Sequence, residues 1–387
     1  MPKTFCLLLF RNPIFWSPLG SKRPMNRLRI KILLSIGLLT GSLSGAAAGA
    51  GQSANAAELK TPERRHDGLK VAHLSSVQGD TEALGRLVVE LRDGEFGKVD
   101  SLLIAKGGAL VLEQYFGDAA IDKLHPTRSH TKSVTAYAVG KAIELGKIKS
   151  VDAPILKYLP EVAAAKVFPG AEKLTIKDCL TMSSGLRYDQ KKLRGKRFGK
   201  ATHVPWILEE WTTELKESEF KYSYSDPIII SHVLFNATGK TIEEIAVEHF
   251  FKPMGIERHK FRTLPCGLTN PIDNLELRSR DMLKLGLLTL NGGVWNGKRL
   301  LNEAYVEEAT RAQVAVNKVE SYGYFWWVNR IMIKGKPCEV KTAFGAGGQM
   351  IYVIPELELV VIFTAEKADK RTLLRLLQDA IVPSFDK

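Results

Sequence analysis

A serine and a lysine three residues apart, Ser129 and Lys132, are the side chains of this sequence best suited to covalent chemistry. They stand at the start of a segment with helical spacing, and residues i and i+3 lie on the same face of a helix. Burial at a crowded helix start and the positive end of the helix both disfavour the charged form of a lysine. A neutral lysine amine can accept the proton of a nearby serine hydroxyl. The spacing therefore predicts a serine nucleophile with a lysine as its general base.

The same spacing occurs three times, so the pattern alone does not single out Ser129. The second pair begins at Ser218 in a polar stretch, and the third begins at Ser384, at the end of the chain. Ser129 alone opens a long segment of helical periodicity that follows a strand hairpin and a loop. The structural alternative for any one pair is a capping serine with a surface lysine. The apolar face predicted for the segment consists of Val134, Tyr137, Ala138, Ala142 and Leu145.

The elements that would position this pair follow from the periodicity of apolar residues. Residues 99–105 and 109–116 form two strand-like runs joined by Lys-Gly-Gly, which predicts a hairpin. A helical and loop-rich middle follows, from about residue 150 to residue 290. Further strands are then predicted at 322–328, 349–354 and 357–363, and a last amphipathic helix at 370–381. This order predicts an α+β fold with one antiparallel sheet, flanked by helices and interrupted by a large helical insertion.

The composition is that of a globular protein without a nucleic-acid partner. The chain has 387 residues, of which 45% are hydrophobic and 25% charged, and this suits two domains or one domain with an insertion. The net charge is +13, but residues 1–57 contain seven Lys or Arg and no Asp or Glu, which leaves +6 for the rest. Basic runs interleaved with aromatic residues are absent from the sequence, as is zinc-finger spacing.

The first 57 residues have the order of an upstream extension followed by a secretory signal peptide. Met25 precedes a basic stretch, an apolar run from residue 32 to residue 39, and small residues that end in the A-x-A site at residues 54–56. The apolar run is shorter than the roughly 20 residues of a spanning helix. We therefore expect cleavage after Ala56, a periplasmic or secreted protein, and no stable membrane span after processing.

Cysteine and histidine usage indicates neither a metal site nor a cofactor site. The eight histidines are scattered, and no CxxC or HExxH spacing occurs. The sequence therefore predicts no metal and no organic cofactor, and it leaves the oligomeric state open. Removal of the signal segment would leave an odd number of cysteines, so at most one disulfide could form among Cys179, Cys266 and Cys338.

Several segments together resemble the serine β-lactamase-like superfamily, which includes penicillin-binding proteins, class C β-lactamases, esterases and nylon-oligomer hydrolases. The resemblance covers about residues 99–383 and begins with the nucleophile segment TRSHTKS at residues 127–133. Collinear segments are LTIKDCLTMSSGL at 174–186, FFKPMGI at 250–256, YGYFWW at 322–327 and GAGGQ at 345–349. The resemblance implies a β-lactamase/transpeptidase-like fold, with an α/β domain from residues 58–128 and 275–387 and a helical domain from residues 129–274.

The resemblance also implies roles for residues distant from the nucleophile. A tyrosine relays protons between lysine and leaving group; Tyr222 is the preferred candidate and Tyr224 the other. With Tyr222 as the relay, Tyr224 takes the substrate-binding position at which the family has an asparagine or a serine. The family's Lys-Thr-Gly motif, on a strand, corresponds to Ala343, Phe344 and Gly345. The motif's lysine is therefore replaced by Ala343. Gly345 would let substrate approach closely beside Phe344. Backbone N–H groups of Ser129 and Ala346 would form the oxyanion hole, whereas the serine-glycine turn at residues 183–185 would be structural.

These features together predict a serine hydrolase that cleaves a carboxylic ester or a small amide through an acyl-enzyme. The missing cation at Ala343 disfavours substrates with a carboxylate next to the scissile bond. The alternatives are a β-lactamase or a cell-wall D-Ala-D-Ala peptidase, and a non-catalytic binding protein that kept the fold. The expected partner is a small ester, amide or β-lactam.

Overall fold

The computed structural model describes residues 57–162, 166–187 and 219–386, together with six residues between the last two segments (204, 205, 207, 208, 214 and 215). The predicted upstream extension and signal segment, except for Ala57, lies outside the described residues. The described residues belong to one compact unit. Among the described residues, no helix is long and apolar enough to cross a bilayer.

A nine-stranded sheet runs through this unit. The strands are β1 (Lys70–Val71), β2 (Lys98–Lys106), β3 (Ala109–Tyr115), β4 (Val314–Ala315), β5 (Glu320–Tyr322), β6 (Trp327–Ile333), β7 (Lys336–Gly345), β8 (Gln349–Ile354) and β9 (Leu359–Lys367). Their order is β1-β3-β2-β9-β8-β7-β6-β5-β4. All neighbours pair antiparallel except β1, which runs parallel to β3. The predicted antiparallel sheet is therefore confirmed, with one short parallel edge strand added.

The described helices are α1 (Thr81–Asp93), α2 (Thr131–Glu144), α3 (Ile176–Leu180), α4 (Ser225–Thr238), α5 (Ile242–Ala246), α6 (Ser279–Leu290), α7 (Glu303–Thr310) and α8 (Lys370–Leu376). Some of them cover the two faces of the sheet, and others form a separate helical part. Helices α1 and α8 contribute to the core on one face, and α6 contributes to the core on the other. Short strand pairs join His125–Pro126 to Glu276–Leu277, Leu186–Arg187 to Glu214–Leu215, and Val294–Trp295 to Lys298–Arg299. The α+β class is thus confirmed.

Helix α2 lies where the helical part of the chain meets the sheet side. Val134 and Tyr137 belong to the core that includes the sheet, whereas Ala138 and Ala142 belong to the core of the helical part. Every residue from Thr131 to Ala142 is buried. The predicted single apolar face was therefore too narrow, and its last member was wrong because Leu145 is 51% exposed beyond the end of the helix. A surface helix has one apolar and one polar face. Because α2 packs against a core on each side, it has no polar face over these residues.

Two strands differ from the sequence-based predictions, whereas the last helix, predicted over residues 370–381, is found there. The predicted strand at 322–328 is interrupted at residues 323–326, where Phe325 has a φ of 56° and a side chain at Gly323 would collide with the Ala309 carbonyl oxygen. Strand β7 was not predicted, because charged residues and Pro337 hide its alternation. The last helix is α-helical only over Lys370–Leu376 and continues as a wider turn over Leu377–Ile381.

Candidate active site

Ser129 lies on a tight turn that leads directly into α2. Thr127 fixes the start of this turn, since its N–H and its hydroxyl donate to the Leu275 carbonyl oxygen at 2.8 and 2.9 Å. Arg128 then has a φ of 55°, which non-glycine residues rarely adopt, and a short 3-10 turn covers Arg128–His130. Strained backbone of this kind is concentrated at functional sites, where the surrounding structure holds it. The turn places the Ser129 hydroxyl beside the first residues of α2.

Lys132 is fully buried and lies beside Ser129. Its Nζ atom is 3.1 Å from Ser129 Oγ and donates to the Ile272 carbonyl oxygen at 2.5 Å. Burial lowers the pKa of Lys132 to about 7, against the opposing effect of the Asp273 carboxylate. A large fraction of this lysine is therefore neutral near neutral pH, and a neutral amine can accept a proton.

Tyr222 completes a cluster of three side chains. Its hydroxyl is hydrogen-bonded to Ser129, and its ring centroid is 5.1 Å from Lys132 Nζ. Burial raises the pKa of Tyr222 to about 12, against the opposing effect of the bond to Ser129. The ring stacks on that of Trp327, with 6.1 Å between centroids and 19° between planes. The phenol is therefore a neutral donor at physiological pH, held in position by an aromatic neighbour.

Tyr224, the other candidate, is also close to Lys132 and is more exposed than Tyr222. Its ring centroid is 5.7 Å from Lys132 Nζ, and the residue is 41% exposed at the N-cap of α4. Both tyrosines border the lysine, and the contact with Ser129 favours Tyr222 as the proton relay. A role of Tyr224 in substrate binding remains a prediction.

The turn at residues 183–185 supports the segment that carries these tyrosines. The Ser184 hydroxyl donates to Asp226 Oδ1 at 2.7 Å, and both side chains are buried. The Lys221 N–H donates to the Met182 carbonyl oxygen at 2.8 Å. These contacts join the turn to the start of α4 and give Ser184 a structural environment, unlike that of Ser129.

Gly345, at the end of β7, packs directly against the nucleophile turn. A Cβ atom at this position would collide with the Thr127 carbonyl oxygen and lie 2.9 Å from Arg128 Cβ. Only a residue without a side chain permits this approach of strand and turn. Ala346 follows immediately and shares a surface cavity of about 310 Å³ with Arg128. The oxyanion hole formed by the N–H groups of Ser129 and Ala346 remains a prediction.

The residues before Gly345 are apolar, and the nearby cation comes from another part of the chain. Ala343 is completely buried, and Phe344 lies edge-on to Trp327 with 6.4 Å between centroids. Lys370, at the start of α8, places its Nζ atom 3.8 Å from the Trp327 centroid and 5.3 Å from that of Phe344. It also forms an ion pair with Glu320. The sequence motifs do not indicate this lysine, because it follows the last motif by more than 20 residues.

Comparisons with known proteins agree with this fold. The Beta-lactamase family model matches residues 96–381. A 6-aminohexanoate-dimer hydrolase of Paenarthrobacter ureafaciens is 21% identical over 299 residues, which cover 70% of this chain and 74% of the relative.

Two solved structures share the fold at low identity. A D-stereospecific amidohydrolase from Streptomyces sp. has a TM-score of 0.58 and 16% identity, covering 75% of this chain and 96% of its own. The hydrolase EstCE1, which has promiscuous acyltransferase activity, has a TM-score of 0.62 and 15% identity, covering 81% of this chain and 100% of its own.

Proposed function

Because the chain belongs to the beta-lactamase family of serine hydrolases, whose members include amidases, esterases and peptidases, we propose that it cleaves carboxylic esters or small amides through an acyl-enzyme on Ser129. The observation that carries this proposal is the buried Lys132, with a pKa of about 7 and its Nζ atom 3.1 Å from the Ser129 hydroxyl. A surface lysine beside a capping serine would have neither property.

The proposed reaction has two halves. Lys132 takes the Ser129 proton as Oγ attacks the substrate carbonyl, and N–H groups of Ser129 and Ala346 stabilise the oxyanion. Tyr222, bonded to Ser129, passes a proton to the leaving alcohol or amine and recovers one from Lys132. Water then attacks the acyl-enzyme, its proton returns to Ser129 Oγ through the same side chains, and the acid is released. The Ser129 proton thus ends on the leaving alcohol or amine, and a water proton replaces it.

Covalent labelling with a fluorophosphonate tests whether Ser129 is a nucleophile. We expect labelling of the wild-type protein at Ser129, and none of Ser129→Ala, because phosphonylation needs an activated hydroxyl. The matched control is Ser218→Ala, which removes the serine of another Ser-x-x-Lys pair and should keep the label. A folded wild-type protein that is not labelled would instead support the non-catalytic binding protein.

The pH dependence of ester hydrolysis tests the role of Lys132. The base acts in its neutral form, so kcat/KM should fall as pH drops below the lysine pKa of about 7. Tyr222, with a pKa of about 12, stays neutral and should add no second step below about pH 9. The measurement is kcat/KM for a p-nitrophenyl ester from about pH 5 to about pH 9, with circular dichroism at each pH. A rate that falls as pH rises through neutrality would contradict the assignment.

A β-lactam or cell-wall peptide is the second candidate substrate, and Lys370 is the observation in its favour. Its ammonium group near Phe344 and Trp327 could meet a substrate carboxylate. Its ion pair with Glu320 already balances that charge, which supports the ester or small amide instead.

We also propose that the protein is exported and cut after Ala56. The support is the order of basic, apolar and small residues in the first 57 positions. Sequencing the N-terminus of protein taken from the periplasm should find Ala57 first. Recovery from the cytoplasm with residues 25–56 still attached would refute export.

A further inference from the structure

A cysteine outside the serine site lies at the exposed tip of a short hairpin. Thr263 and Thr269 form an antiparallel bridge, and the Leu264 N–H donates to the Leu268 carbonyl oxygen at 2.7 Å. Gly267, with a φ of 89°, closes the turn, and the Cys266 thiol beside it is exposed. The hairpin thus presents Cys266 to molecules in solution.

The thiol belongs to a chain of three reactive groups. Cys266 Sγ is 3.9 Å from His232 Nε2, and the other ring nitrogen, Nδ1, is 3.4 Å from Glu161 Oε1. Asn236, one helical turn after His232, donates through Nδ2 to Glu161 Oε2 at 3.0 Å and to the Tyr158 carbonyl oxygen at 2.9 Å. The His232 imidazole is largely buried. It lies between the Cys266 thiol on one side and the Glu161 carboxylate on the other.

We propose that Cys266 is an activated thiol that exchanges with low-molecular-weight disulfides. His232 takes the thiol proton, and the Glu161 carboxylate stabilises the resulting imidazolium. The thiolate attacks one sulfur of the disulfide, a new S–S bond forms, and the other half leaves as a thiolate that can take up the proton. The reaction needs no other oxidant, and its product is a mixed disulfide on Cys266.

The other two described cysteines lack this arrangement. Cys179 is completely buried in the core of the helical part. Cys338 is half-buried on β7, where burial and the carboxylates of Glu356 and Asp386 raise the pKa of its thiol. Cys338 is therefore the matched control within the same chain.

Reaction with 5,5′-dithiobis(2-nitrobenzoate) at pH 7 tests the proposal. In a Cys6→Ser background, Cys338→Ser leaves Cys266 as the accessible thiol and Cys266→Ser leaves Cys338. We expect Cys266 to react about ten-fold faster than Cys338, because its thiol is exposed and has a proton acceptor in His232, whereas the Cys338 thiol is half-buried and has a raised pKa. His232→Gln should slow Cys266 about ten-fold and Glu161→Gln about three-fold, with no change for Cys338. Oxidised glutathione should form the same adduct, detected by mass.

Two results would overturn the proposal: Cys266 reacting no faster than Cys338, or His232→Gln leaving the Cys266 rate unchanged. Cys179 is buried, so its reaction with the reagent shows that a variant has unfolded. If His232→Gln unfolds, the rate of Cys266 in Glu161→Gln is the test instead, and an unchanged rate there overturns the proposal. Ser129→Ala should keep the full thiol rate, so this proposal and the proposed serine chemistry can fail independently.

Discussion

Replacement of Ser129 or Lys132 by alanine should lower kcat/KM for an aryl ester by about 10³-fold or more, because in the proposed mechanism these residues are nucleophile and base in the same proton transfer. Ser129→Ala removes only a hydroxyl and should leave the fold intact. The double variant should be hardly slower than either single variant, since residues that act as a unit are not additive. The measurements are steady-state kinetics with a p-nitrophenyl ester and thermal unfolding of each variant.

Lys132 needs a control for packing, because its side chain is completely buried and its Nζ atom contacts the Ile272 carbonyl oxygen. Lys132→Met keeps most of the side-chain volume without the amine, so it should be as inactive as Lys132→Ala but better packed. Ser218→Ala should retain wild-type turnover. If Ser129→Ala remained fully active while Ser184→Ala or Ser218→Ala lost activity, the nucleophile would be misassigned.

Short-chain aryl esters should be hydrolysed with a kcat/KM about 100-fold or more above that for nitrocefin or benzylpenicillin, because a desolvated carboxylate without a partner costs several kcal/mol. Ala343 is buried and Phe344 is apolar, so these two residues offer no charge to a penicillin carboxylate. The cation beside Phe344, Lys370, is paired with Glu320. Both rates should be measured on one preparation and divided by the hydroxide-catalysed rate of each substrate.

Two matched variants show whether Lys370 acts on substrate. If it meets a carboxylate, Glu320→Gln should raise the rate with nitrocefin and Lys370→Met should lower it, while neither changes ester hydrolysis. If it is part of the aromatic packing, both variants should leave the ratio of the two rates unchanged. Equal or greater efficiency on the β-lactams in the wild-type protein would refute the ester preference and favour the second candidate.

Local sequence patterns predicted those parts of the molecule that depend on near neighbours along the chain. The Lys-Gly-Gly turn closes a hairpin between β2 and β3, with Gly107 and Gly108 at φ of 57° and 77°. The three-residue spacing brings Lys132 to Ser129 because the backbone continues from a 3-10 turn into α2. The α+β class also followed from the order of strands and helices, and the family resemblance is confirmed over residues 96–381.

The same patterns failed where burial or a distant contact decided the structure. Strand β7 runs near the middle of the sheet although its sequence alternates poorly, because neighbours on both sides supply its hydrogen bonds. Leu145 looked like a core residue and is exposed, since α2 ends before it. Propensity and periodicity are weak beside such tertiary contacts.

The sequence by itself determined that Ser129 and Lys132 lie together, that a glycine stands where the strand approaches their turn, and the kind of fold that carries them. The tertiary structure alone decided that Ile272 offers a carbonyl oxygen to the lysine, that Tyr222 is hydrogen-bonded to the serine, and that Lys370 approaches the aromatic rings of Trp327 and Phe344. The first set depends on covalent geometry and on residues a few positions apart. The second depends on how distant segments pack, and packing energy is shared among many side chains, so no short motif encodes it.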